Sequence, residues 1–168
     1  MAVDDVSAEV RGDVAPDLRV VTTFEDFYRA MRQRMIRVAF MMTGSTEAAE
    51  DIVQDAFVQL YSRFDQLVDP APYLYRTVVN GCRSRRRHGR VVERLQHLTA
   101  QNTVTSLETD ETWTALVRLP ERRRAAVVLR YYADLPLAEI ADVLGCRTGT
   151  VKSMLHRALS ELREVLEP

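Results

Sequence analysis

Apolar residues recur at helical spacing along most of the chain, and the alternation typical of β-strands persists nowhere. A first amphipathic helix is predicted over about 23–42, where the apolar positions are Phe24, Phe27, Met31, Met35, Val38 and Met42. A second helix follows a candidate cap at Ser45 or Thr46, and a third begins near Pro72, since two prolines interrupt 65–72. The pattern predicts an all-α fold.

The strongest pattern lies at 135–166, where two helices are separated by a tight turn. The first covers about 137–144, and Gly145 suits the left-handed conformation that ends a helix. Thr148 is a candidate cap for the second, which extends to about 166. Its inward stripe is Val151, Leu155, Ala158 and Leu162, and its outward face is Lys152, Ser153, His156, Arg157 and Ser160. This is a helix-turn-helix pattern whose outer donors suit a DNA major groove, although a helical hairpin with a solvated face has the same spacing.

The helical stretches fall into two groups. Residues 1–22 lack a sustained period and are predicted to be a loose N-terminal tail, and 23–95 form a first helical domain. Residues 96–110 gather Gln, Thr, Asn and Ser, which is typical of a linker. Residues 111–168 then form a second domain that contains the helix-turn-helix. The prediction is two small helical bundles joined by a linker.

Charge is distributed unevenly along the 168 residues, although the net charge is only −1. Residues 1–70 carry 13 acids and 7 bases, whereas 71–99 carry 7 bases and 1 acid. The basic block continues a helix face that also bears Tyr73 and Asn80. Arginines can bind phosphates and an aromatic ring can stack on an unpaired base, so this face is a candidate nucleic-acid surface. A solvated cationic helix end remains the alternative.

Other classes of function have little support in the sequence. It has no phosphate-binding loop, serine-hydrolase motif or zinc-protease motif, so we expect no catalytic residues, no metal and no cofactor. Cys82 and Cys146 are far apart and are expected to be free thiols in a reducing compartment. No apolar run approaches membrane-spanning length, and the acidic N-terminal stretch does not resemble a signal peptide. We therefore expect a cytoplasmic protein.

Four motifs occur in order along the chain. An acidic helix, AEDIVQDAFVQLY, is followed by YLYRTVVNGCRSRRR, then by LPERRRAAVVLRYYADLPLAEIADVLG and GTVKSMLHRALSELR. This order of motifs resembles the extracytoplasmic-function sigma factors of bacterial RNA polymerase. The resemblance covers about residues 24–166. It implies that the first bundle corresponds to sigma region two and the second to sigma region four.

The resemblance also implies site residues. The polymerase-binding residues would be Asp51, Gln54 and Asp55, which would dock on the clamp helices of the largest polymerase subunit. The loop at 63–72 and the helix after it would capture and melt the minus-ten promoter element through Tyr73, Arg76, Asn80, Arg83, Arg85, Arg86 and Arg87. The second bundle would contact the minus-thirty-five element through Arg147, Thr148, Thr150, Lys152, Ser153, His156 and Arg157. Implied partners are core RNA polymerase, including its flap region, promoter DNA and an anti-sigma protein, with no membrane contact.

The sequence departs from the family pattern at several positions. The loop at 65–72 is short, Tyr73 stands where the family usually has Trp, and Met154 stands where a basic residue is common. Pro136 and Arg147 replace the usual capping residues of the two helices. A second hypothesis is a stand-alone helix-turn-helix regulator whose N-terminal bundle senses a ligand or dimerises. A sensor requires a pocket with convergent polar groups, for which the sequence gives no sign.

Overall fold

The structure is a computed structural model, and it describes residues 23–96 and 111–166, with side chains left undescribed at 86–96, 111–114 and 166. Most of these residues are helical, and no strand occurs among them. The first bundle consists of α1 (Phe24–Thr43), α2 (Thr46–Tyr61) and α3 (Pro70–Gln96). The second consists of α4 (Glu111–Arg118), α5 (Glu121–Val127), α6 (Leu137–Leu144) and α7 (Thr148–Leu166). The all-α prediction is confirmed; the predicted tail and most of the predicted linker lie outside the described residues.

Local signals set most helix ends. The hydroxyl of Thr23 accepts a hydrogen bond from the backbone N–H of Asp26 and caps α1, and Gly44 ends that helix with φ of 76°. The hydroxyl of Ser45 accepts from the N–H of Ala48 and caps α2. Gly145 ends α6 with φ of 61°. At each of these two glycines the left-handed backbone would strain a residue that carries a Cβ.

Two predicted helix starts are wrong by one or two residues. Helix α3 begins at Pro70 rather than near Pro72. The N–H groups of a helix's first turn have no acceptor within the helix, so proline, which has no N–H, is well tolerated there. Asp69 precedes it and accepts from the N–H of Ala71. Helix α7 begins at Thr148, and the carbonyl of Arg147 accepts from the N–H groups of Thr150 and Val151. Thr148 is therefore the first helical residue and not the cap.

Helix α5 continues into a π-helical turn at Val128–Tyr132, which the sequence pattern did not indicate. The N–H of Ala133 reaches back five residues to the carbonyl of Val128. Asp134 then adopts a positive φ of 51°, which aspartate tolerates better than most residues. The chain reverses here and leads into the helix-turn-helix.

The two bundles pack on each other, and their buried side chains form one continuous apolar core. Helix α1 contacts α5 and the π turn, and α3 contacts α6. At the centre lies Arg124 of α5, which is only 2% exposed. Its guanidinium donates to the carbonyls of Leu116, Val117 and Leu119 in its own bundle and to the carbonyl of Met42 at the end of α1.

Two buried groups near this packing have raised pKa values. Burial raises the pKa of the Cys82 thiol to about 12. Burial also raises the pKa of Tyr75 to about 12, although the nearby Arg34 guanidinium opposes the shift. Both groups are therefore neutral at physiological pH. Cys82 and Cys146 are both free thiols, as predicted.

The close approach of α2 and α3 yields a prediction about stability. A Cβ built on Gly81 would lie 2.9 Å from Cγ2 of Ile52, whereas one on Gly149 in α7 would meet nothing within 4 Å. Gly81→Ala should therefore lower the free energy of unfolding by about 1–3 kcal/mol, despite alanine's better helix propensity. Gly149→Ala is the matched control and should cost nothing, with a gain of up to about 1 kcal/mol. Urea denaturation measures both, and equal effects of the two substitutions would contradict this packing.

Candidate polymerase- and DNA-binding surfaces

Helix α7 presents one polar face outward, which we call the reading face: Lys152, Ser153, His156 and Arg157. All four side chains are exposed. Val151, Leu155 and Ala158 are buried on the opposite side, and Leu162 is half-buried. The helical spacing thus predicted both sides of α7. A helix with this geometry can enter a major groove, where its outer donors would meet the edges of the base pairs.

The ends and flanks of the reading face carry further polar groups. Arg147, Thr148 and Thr150 are exposed at the N-terminal end of α7. Arg123 of α5, which the sequence analysis did not single out, lies beside Thr150 and Arg157 and is paired with Glu161. The only sign of it in the sequence was the run of three arginines at 122–124, and that run alone does not say which member reaches α7.

The basic surface predicted on α3 is partly engaged within the chain. Arg76 is exposed and donates from Nη2 to the carbonyl of Asp142 in α6 at 3.1 Å. The Nε of Arg83 lies 3.0 Å from Oε1 of Glu121 in α5, and both side chains are largely covered. Arg85 pairs with Asp51 of α2 at 3.1 Å, in the open. The side chains of Arg86 and Arg87 lie outside the described residues.

Tyr73 and Asn80 occupy different environments on α3. Asn80 is exposed. Tyr73 is half-buried and packs against the core, and the guanidinium of Arg63 lies 5.8 Å from the centre of its ring. Arg63 belongs to the segment between α2 and α3, where Phe64–Gln66 form a single 3₁₀ turn. One face of the Tyr73 ring is therefore covered by a side chain that can move.

Helix α2 bears the acidic face, Asp51, Gln54 and Asp55, and all three side chains are exposed. Next to it lies an aromatic groove that the sequence analysis missed. Gln54 forms one wall, and the rest is apolar: Phe24, Tyr28, Phe57, Val58 and Tyr61. Val58 is 67% exposed and Tyr61 69% exposed, and both line the groove. Val58 and Tyr61 lie outside the buried side of α2, which consists of Ala49, Ile52, Val53, Ala56, Phe57 and Leu60.

Two family models match the chain. The model for sigma-70 region 2 matches residues 27–91, which span α1 to most of α3. The model for sigma-70 region 4 matches residues 109–162, which span α4 to most of α7.

Curated relatives match over most of their length. The chain is 33% identical to the RNA polymerase sigma-E factor of Streptomyces avermitilis, over 88% of this chain and 87% of that protein. It is 32% identical to the ECF RNA polymerase sigma factor SigM of Mycobacterium tuberculosis, over 85% of this chain and 76% of that protein. The chain belongs to the extracytoplasmic-function sigma factors.

Solved structures resemble this sigma factor in fold. The sigma factor RpoE from Bartonella quintana, solved in complex with the anti-sigma factor NepR, aligns with a TM-score of 0.69 at 24% identity, over 85% of this chain and 98% of that one. CnrH, solved with the cytosolic domain of CnrY, aligns with a TM-score of 0.65 at 23% identity, over 86% of this chain and 87% of that one.

Residues 23–96 and 111–166 of this sigma factor contain neither a candidate membrane-spanning helix nor a candidate metal-binding cluster. No helix in those ranges is both long enough and apolar enough to span a membrane. Histidine, cysteine and acidic side chains do not cluster there in groups of three or more that could hold a metal ion.

Proposed function

We propose that this sigma factor docks on core RNA polymerase through α2, engages the minus-ten element with α3 and reads the minus-thirty-five element with α7. The observation that carries the proposal is the exposure of the reading face and of the acidic face in one chain of this family. The two faces lie on different bundles, so one can hold polymerase while the other contacts DNA.

The docking surface joins the acidic face to the aromatic groove. Charged residues at the rim of an interface favour fast association, and buried aromatic groups supply most of the affinity. Asp55 and Gln54 would provide the polar rim, and Val58 and Tyr61 would become buried on docking. The clamp helices of the largest polymerase subunit are the proposed partner, and the flap region would contact the second bundle.

At the minus-ten element, Arg76, Arg83 and Arg85 would bind phosphates, and the proposal extends this role to Arg86 and Arg87. Phosphate contacts provide affinity that is sensitive to salt and largely blind to sequence. Tyr73 and Asn80 would approach unpaired bases once the strands separate. For Tyr73 to stack on a base, the Arg63 side chain must move from its ring.

At the minus-thirty-five element, the reading face would enter the major groove. Lys152 and Arg157 can pair with guanine O6 and N7, and Ser153 and His156 can bond to other base edges. Arg147, Thr148 and Thr150 lie at the helix entrance, where phosphates pass. We assign these three residues to contacts with the DNA phosphates and the reading face to contacts with the bases.

We further infer that the chain is not an enzyme itself and works in the cytoplasm with the polymerase. An anti-sigma protein is an expected partner, since the similar sigma factor RpoE was solved in complex with the anti-sigma factor NepR. The alternative of a stand-alone helix-turn-helix regulator is not favoured, because the family models for sigma-70 region 2 and region 4 both match the chain.

Reversing a charge on the acidic face should weaken docking without unfolding α2. Asp55→Arg should raise the dissociation constant for core polymerase about tenfold or more. The substitution replaces an anion of the proposed interface by a cation, so the electrostatic attraction to the partner becomes repulsion. Glu164→Arg makes the same charge change at an exposed position of α7, away from the acidic face, and is the control. Core binding is measured by fluorescence anisotropy and checked by run-off transcription. Failure of the wild-type chain to bind core would refute the function, and equal losses in both variants would refute the docking face alone.

The division between base and phosphate contacts predicts two different phenotypes. Arg157→Ala should relax preference at one or two base pairs, since a bidentate contact discriminates by about 1–3 kcal/mol. Arg147→Ala should lower affinity across sequences and leave their ranking intact. Binding selection over randomised upstream elements, with each variant in holoenzyme, measures both. Identical ranked sequences from Arg157→Ala and wild type would remove Arg157 from the base readers.

A further inference from the structure

A polar concavity lies between α5 and the flank of α7, beside the reading face. It has a volume of about 360 Å³ and is open to solvent. Both helices contribute to its lining, which consists of Arg123, Gly149, Thr150, Ser153, Met154 and Arg157. Ser153 and Arg157 also belong to the reading face, so the concavity and that face are continuous. A nucleic acid bound to the reading face would therefore reach the concavity as well.

Arg123 is the residue that α5 contributes to this concavity. Its Nη1 donates a hydrogen bond to a carboxylate oxygen of Glu161 in α7. Among the residues that the structure describes, Nη1 is the only atom of this guanidinium with a hydrogen-bond partner, so the donors on Nε and Nη2 remain available. The side chain of Arg123 is 25% exposed, so these donors can meet a ligand in the concavity. A planar guanidinium with free donors is well suited to a phosphate group.

The ion pair between Arg123 and Glu161 directs the guanidinium and does little for folding. Glu161 is 45% exposed, and ion pairs with this much solvent contact contribute little to stability. Glu161 follows Arg157 by four residues and lies on the same side of α7, so it draws Arg123 towards that side. Between Thr150 and Arg157 this side of α7 carries only the uncharged Met154, and α5 supplies the additional cation.

This flank of α7 would face a sugar-phosphate backbone when the reading face occupies a major groove. The groove is about 12 Å wide and a helix with its side chains is about 10–12 Å across, so the helix fills the groove. Base edges then meet the outermost residues, such as Ser153, and phosphates pass along both flanks of the helix. On the flank towards α5, the groups in position to meet a phosphate are Arg123 and Thr150.

We propose that Arg123 and Thr150 form a phosphate-binding site at the edge of the minus-thirty-five element, with Glu161 holding the Arg123 guanidinium in place. The inference rests on the proposed role of α7 in promoter recognition and adds a residue of α5 to it. Phosphate contacts position a protein on the duplex and carry no direct sequence information. Arg123 therefore sets the affinity and the placement of α7 in the groove, and the reading face selects the bases.

The test uses duplexes in which one upstream phosphate at a time is replaced by an uncharged methylphosphonate. The upstream sequence is one that wild type prefers in the binding selection, and the sigma factor is present as holoenzyme. Arg123→Ala should bind the unmodified duplex about three- to tenfold more weakly, the range for one hydrogen bond. It should also become insensitive to replacement of one phosphate at which wild type is sensitive. The slope of log affinity against log salt concentration should become shallower by about 0.9.

Three further variants separate a phosphate contact from a structural role of the ion pair. Arg123→Lys keeps the charge and should recover sensitivity at that phosphate. Glu161→Gln keeps an oxygen acceptor for Arg123 and removes an anion near the DNA, so it should bind at least as tightly as wild type. Arg163→Ala removes a cation from an exposed position later in α7, outside the concavity, and is the matched control. This control should keep every sensitive phosphate.

Two results would overturn the phosphate site. One is an Arg123→Ala variant with the same sensitive phosphates as wild type. The other is a loss of affinity in Glu161→Gln as large as that in Arg123→Ala, which would make the ion pair structural. Failure of the proposed function looks different, because wild-type holoenzyme would then show no preference among upstream sequences. A wild type that selects sequences, with no phosphate that depends on Arg123, would refute this site alone.

Discussion

The arrangement of this sigma factor depends on one buried cation. Taking a guanidinium out of water is costly unless each N–H finds an acceptor, and Arg124 meets this demand with carbonyls at the ends of α1 and α4. Backbone carbonyls near the C-terminal end of a helix lack partners inside the helix and carry the negative end of its dipole. One side chain therefore satisfies two helix ends and orders the second bundle around α5.

Arg124 donates to three carbonyls of the second bundle and to the Met42 carbonyl of the first, so the same guanidinium holds the second bundle together and links it to α1. Around it, Arg34 and Arg76 also donate to backbone carbonyls of the second bundle, and Arg83 forms an ion pair with Glu121. These polar contacts fix the orientation of the two bundles. They add little net stability, because water would form comparable hydrogen bonds with the same groups. The apolar groups that meet across the bundles supply the rest of the association.

Periodicity and caps predicted the fold well, because α1 and α7 have clear apolar stripes and Gly44 and Gly145 mark two ends. The outer face of α7 was predicted for the same reason. The role of Arg124 was not, since its acceptor at Met42 is 82 residues away and a run of three arginines reads as solvated. The sequence analysis missed the aromatic groove because Val58 and Tyr61, although exposed, leave the helical periodicity of α2 intact. Local spacing says little about which surfaces of two bundles will meet.

The packing of the two bundles on each other can be observed most directly at the Arg124 guanidinium by nuclear magnetic resonance of the free chain. A buried, fully bonded guanidinium should exchange its protons slowly enough for its N–H signals to be assigned. We predict nuclear Overhauser effects from these protons to Leu116 and Leu119 of the second bundle and also to Met42 and Thr43 at the end of α1. Effects confined to the second bundle, with none to α1, would contradict the account and place the free sigma factor in an open state.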